Sequence, residues 1–411
     1  MAEFLKLKPP FEARSAFLNA IPEPKIVRET IPTAEALDRV IAVDVFAPHP
    51  LPEFSRSTVD GYAIRAADTY GASESLPALL NFVGELPMGK ASDIVIEAGT
   101  AALIHTGGMI PQGADAVVML EHSQLVSGKS LEVYRPLGVN ENVILAGEDV
   151  KTGEQVIPQG KKMRIAEVGG LMSFGFTQME AARKPRVAIL SSGDEVVPPE
   201  ATPVYGQVRD INSTTMSLVV KQAGGEPIPY GIVTDSETAL REVAEKAFAE
   251  CDMLLVTAGS SASTRDLTAV VIDSLGKPGV LVHGVQVRPG KPTILAVCDG
   301  KPVIGLPGNP VSALVIAGIF VRPVIQKLLG ETTREVHPVI QARLMGSIPS
   351  VAGREDWVPV SLQTENGNWL AEPIHFKSNL IFNLVKADGL VHIPSDLTGL
   401  AAGTTIEVEM I

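Results

Sequence analysis

Three segments of the chain repeat one pattern, in which a short apolar run is followed by a loop of small residues and then by a helical pattern. The segments are residues 187–195, 253–266 and 303–312. A continuous apolar run bounded by Gly and Pro is typical of a strand that is buried on both faces, as in a parallel sheet. Because strands and helices alternate from residue 185 to residue 330, the pattern predicts a doubly wound α/β domain.

The loops that follow these three apolar runs form the predicted ligand site. In an open α/β sheet, ligands bind at the carboxyl edge of the strands. Free backbone amides at the start of a following helix favour an anion there. One such loop is weak evidence, since ordinary turns between a strand and a helix also contain Gly and Ser. Three such loops, with carboxylates at Asp194, Glu195 and Asp266, predict a site for an anion together with a hard cation.

The bulk properties of the chain limit its function. Its 411 residues predict two to four domains, on a prior of ~100 to 200 residues per domain. The formal net charge of −13 disfavours nucleic-acid binding, and it requires that an anionic substrate be attracted locally. The two cysteines, Cys251 and Cys298, form neither a CxxC pair nor a disulfide framework, and we expect both to be buried.

The apolar segments favour a cytosolic protein without membrane contact. The first residues lack the apolar region of a signal peptide. The longest apolar run, residues 311–321, is too short to cross a bilayer.

The rest of the chain is organised unevenly. Residues 33–42 have apolar positions at helical spacing behind Pro32, which predicts an amphipathic helix, and residues 161–174 predict another. Between them, short segments separated by turns predict a small β-rich module. Two helices on either side of such an insertion would pack together as one discontinuous domain. After residue 330, short alternating runs and a hairpin turn at 365–368 predict a small antiparallel β-domain.

Five acids stand at positions where each has both a structural and a functional interpretation. Asp60 lies in an Asp-Gly pair, which is typical of a turn. Asp194 and Glu195, Asp235 and Asp266 all follow apolar strands, where an acid also serves as a helix N-cap. Taken singly, each is best explained structurally. Taken together at one sheet edge, they are costly to assemble without a compensating cation, so they favour a divalent-metal site.

Basic residues and missing motifs narrow the function further. Arg288 and Lys291 flank a Pro-Gly turn that can direct both to one side, but taken alone they are better explained by a solvated hairpin. The seven histidines show no HxxH or HExxH spacing, which disfavours a zinc hydrolase. The chain also has no GxSxG elbow, no GxxxxGK[ST] loop and no GxGxxG turn.

Six motifs occur in a fixed order along the chain: STVDGYA at 57–63, HTGGMIPQGADAVV at 105–118, GED at 147–149, SGDE at 192–195, RPGKP at 288–292 and GLPGNPVS at 305–312. In this order they resemble the successive signatures of MoeA-type molybdopterin molybdenumtransferases, a family that includes the corresponding domain of gephyrin. The resemblance extends from residue 34 to the ADGLVHIP segment at 387–394.

The resemblance implies an enzyme of molybdenum cofactor synthesis. Such an enzyme converts adenylylated molybdopterin and molybdate into molybdenum-molybdopterin and AMP, and Mg²⁺ assists. It also implies four domains: a discontinuous helical domain at 1–45 plus 151–184, an inserted β module at 46–150, an α/β molybdopterin-binding domain at 185–330, and a β-barrel-like C-terminal domain at 331–411. Family members are homodimers in which the active cleft lies between the α/β domain of one subunit and the inserted module of the other.

The resemblance assigns roles to particular residues. The catalytic residues that it implies are Asp60, Thr106, Asp149, Glu195, Asp235 and Asp266. Because cleavage of a phosphoanhydride develops negative charge on oxygen, we assign Glu195, Asp235 and Asp266 chiefly to metal and substrate positioning rather than to general-base work. The binding residues for molybdopterin and molybdate are Ser192, Gly193, Asp194, Gly259, Ser260, Ser261, Arg288, Lys291, Pro307, Gly308, Asn309 and Pro310.

The chain departs from the family pattern at two of these places. The stretch TAGSSAS at 257–263 replaces a glycine-rich loop, and added Cβ atoms limit how closely the backbone approaches a phosphate. Arg288 stands where lysine is usual, and a planar guanidinium recognises an oxyanion differently from an ammonium group. The choice between molybdate and tungstate therefore stays open at this point.

Two functions other than the transferase remain possible on the sequence alone, and the protein partners depend on which function is correct. One is a gephyrin-like scaffold that retains the enzyme fold. The other is a molybdopterin adenylyltransferase, which shares the α/β domain but lacks the inserted module and the β tail. Other enzymes of molybdenum cofactor synthesis are the expected protein partners.

Overall fold

The computed structural model describes residues 7–258, 262–333 and 338–411. The chain divides into two compact units. The first contains the residues up to Ala42, Gly160–Val168 and Gln178–Ile411; the second contains Val43–Gln159 and Gly169–Thr177. The predicted inserted module, residues 46–150, falls within the second unit.

A six-stranded sheet forms the centre of the first unit. Its strands are β1 Arg186–Ser192, β2 Glu226–Val233, β3 Met253–Ala258, β4 Pro278–His283, β5 Ile294–Cys298 and β6 Lys301–Pro307. Their spatial order is β2-β1-β3-β6-β5-β4. The first four in this order run parallel, whereas β5 and β4 are antiparallel to their neighbours. The three apolar runs of the sequence are thus β1, β3 and β6, and they lie side by side.

Helices cover both faces of this sheet, so the predicted doubly wound fold is confirmed. Val187 and Ile189 of β1 point to one face, where they join a core with the helices Asn212–Gln222 and Pro310–Leu328. Ala188 and Leu190 point to the other face, where the helices Glu237–Glu250 and Ala262–Ser274 lie. Alternate residues of one strand reach opposite faces, so a strand buried on both faces is apolar throughout.

The helix Pro310–Leu328 is long and apolar enough to cross a membrane by length and composition alone. It contains a π-helical stretch, Ala317–Val321, between two α-helical parts. Ile316, Phe320 and Val324 are each at most 1% exposed and pack in the core with the sheet. We therefore interpret it as a core helix, since burial against a sheet demands the same composition.

The N-terminal part of the first unit differs from the prediction. A helix spans Pro10–Ala20, and the strand Arg28–Pro32 pairs with Gln178–Ala182. The predicted helix over residues 33–42 is wrong, because only the 3₁₀ turn Thr33–Glu35 forms. Asp38 has a φ of 62°, which ends the helical turn.

Backbone pairing explains why residues 38–42 leave the helical conformation. The amides of Asp38, Ile41 and Ala42 donate to carbonyls of Met163, Lys161 and Glu180. The helix predicted over 161–174 begins only at Ile165 and ends at Ser173, since residues 161–163 take part in this pairing. Strand-like tertiary hydrogen bonds outweigh the helical periodicity here.

The C-terminal part of the first unit is a small barrel, as predicted. Its closed ring consists of the strands Glu355–Glu365, Asn368–Pro373, Val339–Leu344, Thr405–Met410 and Gly389–Ile393. The ring closes because the first and last of these also pair. The strand Val287–Arg288 adds to it alongside Glu355–Glu365. The predicted hairpin turn at 365–368 is confirmed, and Asn366 and Gly367 both have positive φ.

The second unit is rich in β-structure, as the sequence predicted. Its main sheet contains, in spatial order, Ala116–Met119, Gly61–Ile64, Thr100–Ile104, Ala78–Glu85, Ser130–Val133 and Ser123–Val126. Shorter strands pair as Arg56–Ser57 with Val143–Ile144 and as Val45–Phe46 with Gln155–Ile157. Tyr62 and Ile64 pack into one core and Ala63 into the other, so both faces of the strand after Asp60 are buried.

The remaining elements are short. In the first unit they are Val196–Val197 paired with Val208–Arg209, Ile348–Pro349 paired with Gly399–Leu400, and the helix Phe382–Val385. In the second unit they are the 3₁₀ turns Ala66–Thr69 and Leu120–His122. Both cysteines are buried, as expected, and burial raises the pKa of Cys298 to about 11.

Candidate functional site

A cavity of about 350 Å³ opens at the carboxyl edge of the central sheet in the first unit. Ser191 and Ser192 line it from the end of β1, and Thr257 lines it from the end of β3. Gly308, Asn309 and Pro310 line it from the loop after β6. The ends of the three adjacent parallel strands therefore meet at one cavity, as the repeated pattern required.

The loop after β1 brings Glu195 to the cavity. Gly193 has a φ of 149°, and a Cβ there would lie 2.7 Å from Val196 Cγ2 and 2.9 Å from Glu195 Oε2. Only glycine therefore lets the chain fold back so tightly that the Glu195 carboxylate, which is half-buried, lines the cavity.

Asp194 and Asp235 meet beside this loop. The backbone N–H of Asp235, just beyond β2, donates to Asp194 Oδ1 at 3.1 Å. The predicted acids after β1 and β2 are thus close neighbours at the same edge of the sheet. Asp266 lies on the helix that follows β3, Ala262–Ser274, but its side chain is outside the described part of the structure, as are residues Gly259, Ser260 and Ser261.

The predicted metal site remains a prediction. Among the residues that the structure describes, no group of three His, Cys, Asp or Glu side chains lies close enough together to hold a metal ion. Glu195 and Asp235 belong to the described residues, whereas the third predicted ligand, Asp266, has no described side chain.

A hydrogen-bonded network in the lining of the cavity was not predicted. Ser191 Oγ lies 2.9 Å from both Thr257 Oγ1 and Ser213 Oγ. Asp210, which is 6% exposed, accepts from the Ser213 amide at 3.0 Å and from its hydroxyl at 2.5 Å. These bonds join the ends of β1 and β3 to the start of the helix Asn212–Gln222. A short polar segment before a helix is typical of an ordinary N-cap. The sequence therefore gave only weak evidence for this network.

Asn212 also lines the cavity, and it was missed for the same reason. Its Nδ2 donates to the carbonyl oxygen of Gly308 at 2.8 Å, which ties the helix start to the loop after β6. Asn309 Nδ2 in turn donates to Ser378 Oγ at 2.9 Å, and the Val311 amide donates to the Ser378 carbonyl. A segment that follows the barrel strand Asn368–Pro373 thus supports one wall of the cavity, where Asn379 also lies.

Arg288 and Lys291 do not line this cavity. Arg288 lines a second one, of about 240 Å³, whose other residues come mostly from the C-terminal barrel. There Arg288 Nη1 lies 3.7 Å from Asp356 Oδ2, and Arg354 holds the same buried carboxylate with two bonds of 2.8 and 3.1 Å. Lys291 is exposed, and Pro307 is the last residue of β6.

In the second unit, Asp60 and Thr106 are hydrogen-bonded partners. Thr106 donates to Asp60 Oδ1 from its amide at 2.8 Å and from its hydroxyl at 3.2 Å. His105 Nδ1 lies 3.6 Å from the same oxygen, while His105 Nε2 lies 3.0 Å from Glu85 Oε1. The Thr106 amide, with smaller contributions from the Thr106 hydroxyl and from His105, lowers the pKa of Asp60 below its ordinary value. Two residues predicted from separate motifs are therefore in contact, and Thr106 stabilises the ionised carboxylate of Asp60.

Replacing Thr106 by valine is expected to raise the pKa of Asp60 only part of the way to its ordinary value. The hydroxyl bond is lost, but the amide bond, the largest cause of the shift, remains. Because the folded pKa is lowered, the associated stabilisation is present above the unfolded pKa and is lost as the pH falls through the folded value. NMR titration of the Asp60 carboxyl carbon measures the shift, and an unchanged or fully restored pKa contradicts the assignment.

Asp149, the third predicted residue of this unit, is exposed. Its amide donates to the carbonyl oxygen of Leu51 at 3.1 Å, which holds the GED loop against the backbone that follows His49 and Pro50. Within the described part of the structure, the side-chain contacts of Asp60 and Thr106 are with each other and with His105, not with Asp149.

Comparison with known proteins identifies the family of the chain. Three family models match the chain: the MoeA N-terminal region (domain I and II) at residues 9–175, a probable molybdopterin binding domain at 188–327, and the MoeA C-terminal region (domain IV) at 341–411. The fold is thus that of a multidomain protein with a domain of the molybdopterin-binding class.

Individual relatives cover nearly the whole chain. A putative molybdopterin biosynthesis protein of Methanocaldococcus jannaschii is 34% identical over 98% of this chain and 96% of its own length. A molybdopterin molybdenumtransferase of a Nostoc species is 33% identical over 90% of this chain and 86% of its own. The crystal structure of a molybdopterin biosynthesis MoeA protein from Pyrococcus horikoshii matches with a TM-score of 0.85 and 31% identity, over 99% of this chain and 100% of that one. The chain belongs to the MoeA family of molybdenum cofactor biosynthesis enzymes, the molybdopterin molybdenumtransferases.

Proposed function

We propose that the protein inserts molybdate into adenylylated molybdopterin, releasing AMP and yielding molybdenum-molybdopterin with the assistance of Mg²⁺. The observation that carries this proposal is the cavity at the ends of β1, β3 and β6. The SGDE and GLPGNPVS motifs, which lie more than a hundred residues apart, both contribute to its lining. This cavity lies in the segment that matches a probable molybdopterin binding domain.

Carboxylates at this edge suit the cleavage of a phosphoanhydride. Breaking the bond between the pterin phosphate and AMP develops negative charge on oxygen, and a bound Mg²⁺ would stabilise that charge as a Lewis acid. Glu195, Asp235 and Asp266 are the residues proposed to hold the ion. Their oxygen atoms fit the preference of Mg²⁺, and they follow the neighbouring strands β1, β2 and β3. Asp194 accepts the Asp235 amide and so positions the loop after β2.

Arg288 and Lys291 are proposed to attract molybdate, together with the backbone amides of Gly308 and Asn309, which are the N–H groups of the loop between Pro307 and Pro310. A chain with a net charge of −13 needs such local positive groups for an oxyanion substrate. Arg288 leaves about half of its side chain exposed, and Asp356 fixes its direction from one side. The dithiolene of the pterin would supply the sulfur ligands of the metal, which is consistent with two cysteines that are both buried.

Asp60, Thr106 and Asp149 are proposed to complete the active cleft from a second subunit of a homodimer. The proposed domains are 1–45 plus 151–184, 46–150, 185–330 and 331–411. The hydrogen bonds from Thr106 support the role of Asp60, since they hold an ionised carboxylate at an exposed position. Sedimentation of the purified protein measures the oligomeric state.

The proposal also places the protein in the cytosol, with no nucleic-acid or membrane partner.

Incubation of the purified protein with adenylylated molybdopterin, molybdate and Mg²⁺ tests the proposal through the release of AMP. We expect AMP only when both molybdate and the adenylylated substrate are present. Adenylylation of molybdopterin from ATP, without AMP release, would instead favour the adenylyltransferase alternative. A protein that binds partners but gives neither reaction would favour the gephyrin-like scaffold.

A further inference from the structure

Asn212, which lines the cavity, holds a buried hydrogen-bond acceptor. It is 8% exposed, and its Nδ2 is committed to the Gly308 carbonyl oxygen at 2.8 Å. Exchanging the two ends of the amide would place Oδ1 against that carbonyl, and two acceptors cannot share a hydrogen bond. Oδ1 is therefore the atom left over, and the described residues provide no partner for it.

Ser192 presents a second such atom. It is the last residue of β1, it is 3% exposed, and its Oγ also lacks a partner among the described residues. The neighbouring Ser191, by contrast, is fully engaged with Thr257 and Ser213. A buried polar atom without a partner costs free energy, so two of them lining one cavity indicate that a ligand supplies the missing bonds.

The charges around these two atoms define the part of the ligand that they receive. Asp210 lines the same cavity, and Asn212 Oδ1 only accepts. Arg209 also lines it, but its Nε is committed to the Pro199 carbonyl oxygen at 2.9 Å. The bridged phosphates of a phosphoanhydride carry no proton at neutral pH, so they cannot donate to Asn212 Oδ1 and are repelled by the Asp210 carboxylate. A ring edge that carries N–H groups donates to Asn212 Oδ1, and the Ser192 hydroxyl adapts to either a donor or an acceptor beside it.

We propose that Asn212 and Ser192 form a neutral wall that binds the N–H edge of a heterocyclic ring and keeps phosphate away from this part of the cavity. This inference rests on the proposed function, which offers two such edges: the aminopyrimidinone of the pterin and the amino group of adenine. The inference adds Asn212 to the binding residues. It assigns Ser192 a specific role, which is to form a hydrogen bond with the ring and not with the phosphate.

Calorimetric titration with three separate probes tests the proposal: 6-hydroxymethylpterin, AMP and inorganic phosphate. In Ser192→Ala and Asn212→Ala, we expect the affinity for 6-hydroxymethylpterin or for AMP to fall by about tenfold, as the loss of one buried hydrogen bond to a ligand implies. Affinity for phosphate should stay unchanged. The heterocycle whose binding weakens identifies which ring edge the wall receives.

Thermal unfolding of Ser192→Ala separates binding from a structural role. Deleting a buried hydroxyl that has no partner is expected to leave the Tm unchanged or to raise it, whereas deleting a structural hydroxyl lowers it. Ser217→Ala is the matched control. Its hydroxyl donates to the Ser213 carbonyl at 2.7 Å on the same helix and does not line the cavity, so ligand binding should be unaffected.

Several results would overturn the proposal. These are a wild-type protein that binds neither heterocycle, variants that bind both as tightly as wild type, and an equal loss of phosphate affinity. A parallel titration with Mg²⁺ alone adds another, since weaker Mg²⁺ binding by Asn212→Ala would mean that the wall ligates a cation. None of these measurements requires turnover. A protein that binds the pterin but releases no AMP therefore contradicts the proposed reaction and leaves this inference standing.

Discussion

Replacing Glu195 by glutamine is expected to lower the rate of AMP release by about 100-fold or more, the size of effect seen when one electrostatic group is removed from a transition-state site. The change keeps the shape of the side chain and removes its charge. Glu195 lines the cavity after β1, and we propose that its carboxylate helps to hold Mg²⁺ where the phosphoanhydride breaks. The release of AMP under saturating molybdate and Mg²⁺ is the measurement.

The same variant should fold as the wild type does. Among the described residues, the Glu195 carboxylate forms no hydrogen bond or ion pair that stabilises the fold. The Tm is therefore expected to change little. Glu200→Gln is a matched control, because Glu200 is exposed on the same stretch of chain and does not line the cavity. Turnover of Glu195→Gln within a few-fold of wild type would rule out the assigned role.

Replacing Gly61 by alanine is expected to destabilise the second unit by about 3 kcal/mol or more, at the upper end of the cost of overpacking. A Cβ on Gly61 would lie 1.9 Å from the backbone oxygen of Val118 and 2.8 Å from its carbonyl carbon. Gly61 pairs on its two sides with Met119 and Ile104, so neither neighbouring strand moves without breaking the sheet. Differential scanning calorimetry measures the transition of this unit.

Gly169→Ala is the control for that experiment. A Cβ on Gly169 meets nothing within 4 Å. The residue belongs to the second unit and lies within the helix Ile165–Ser173. Alanine there is expected to be neutral or mildly stabilising, because it reduces the freedom of the unfolded chain and favours the helix. Similar stabilities for the two variants would show that the strand pair tolerates a side chain at Gly61.

Gly61 also shows how a local pattern is misleading. The Asp-Gly pair at residues 60 and 61 is typical of a turn, yet Gly61 begins the strand Gly61–Ile64. Glycine is required there by the close approach of two strands, which depends on residues almost sixty positions away. Such a cause is invisible in the local sequence. The motif resemblance nevertheless selected Asp60 and Thr106, which the structure joins by hydrogen bonds.

The central sheet was predictable because its signal is local. Strands buried on both faces must be apolar at every position, so β1, β3 and β6 are recognisable without their neighbours. The predicted helix at 33–42 failed because tertiary pairing with residues 161–163 and 180 replaced it. Asn212 was missed because its importance comes from Gly308, almost a hundred residues later in the chain.

The wide spacing of the residues around the cavity has a consequence for synthesis of the protein. Its lining begins at Ser191 and ends at Asn379, and the Ser378 contacts tie the last part to the loop after β6. A nascent chain that has exposed Pro310 still lacks roughly 70 residues of this structure, which ribosomes add at about 5–20 residues per second. For several seconds the sheet can form while its cavity lacks a wall, so the lining is complete only after Asn379 has been added and its segment has reached the loop after β6.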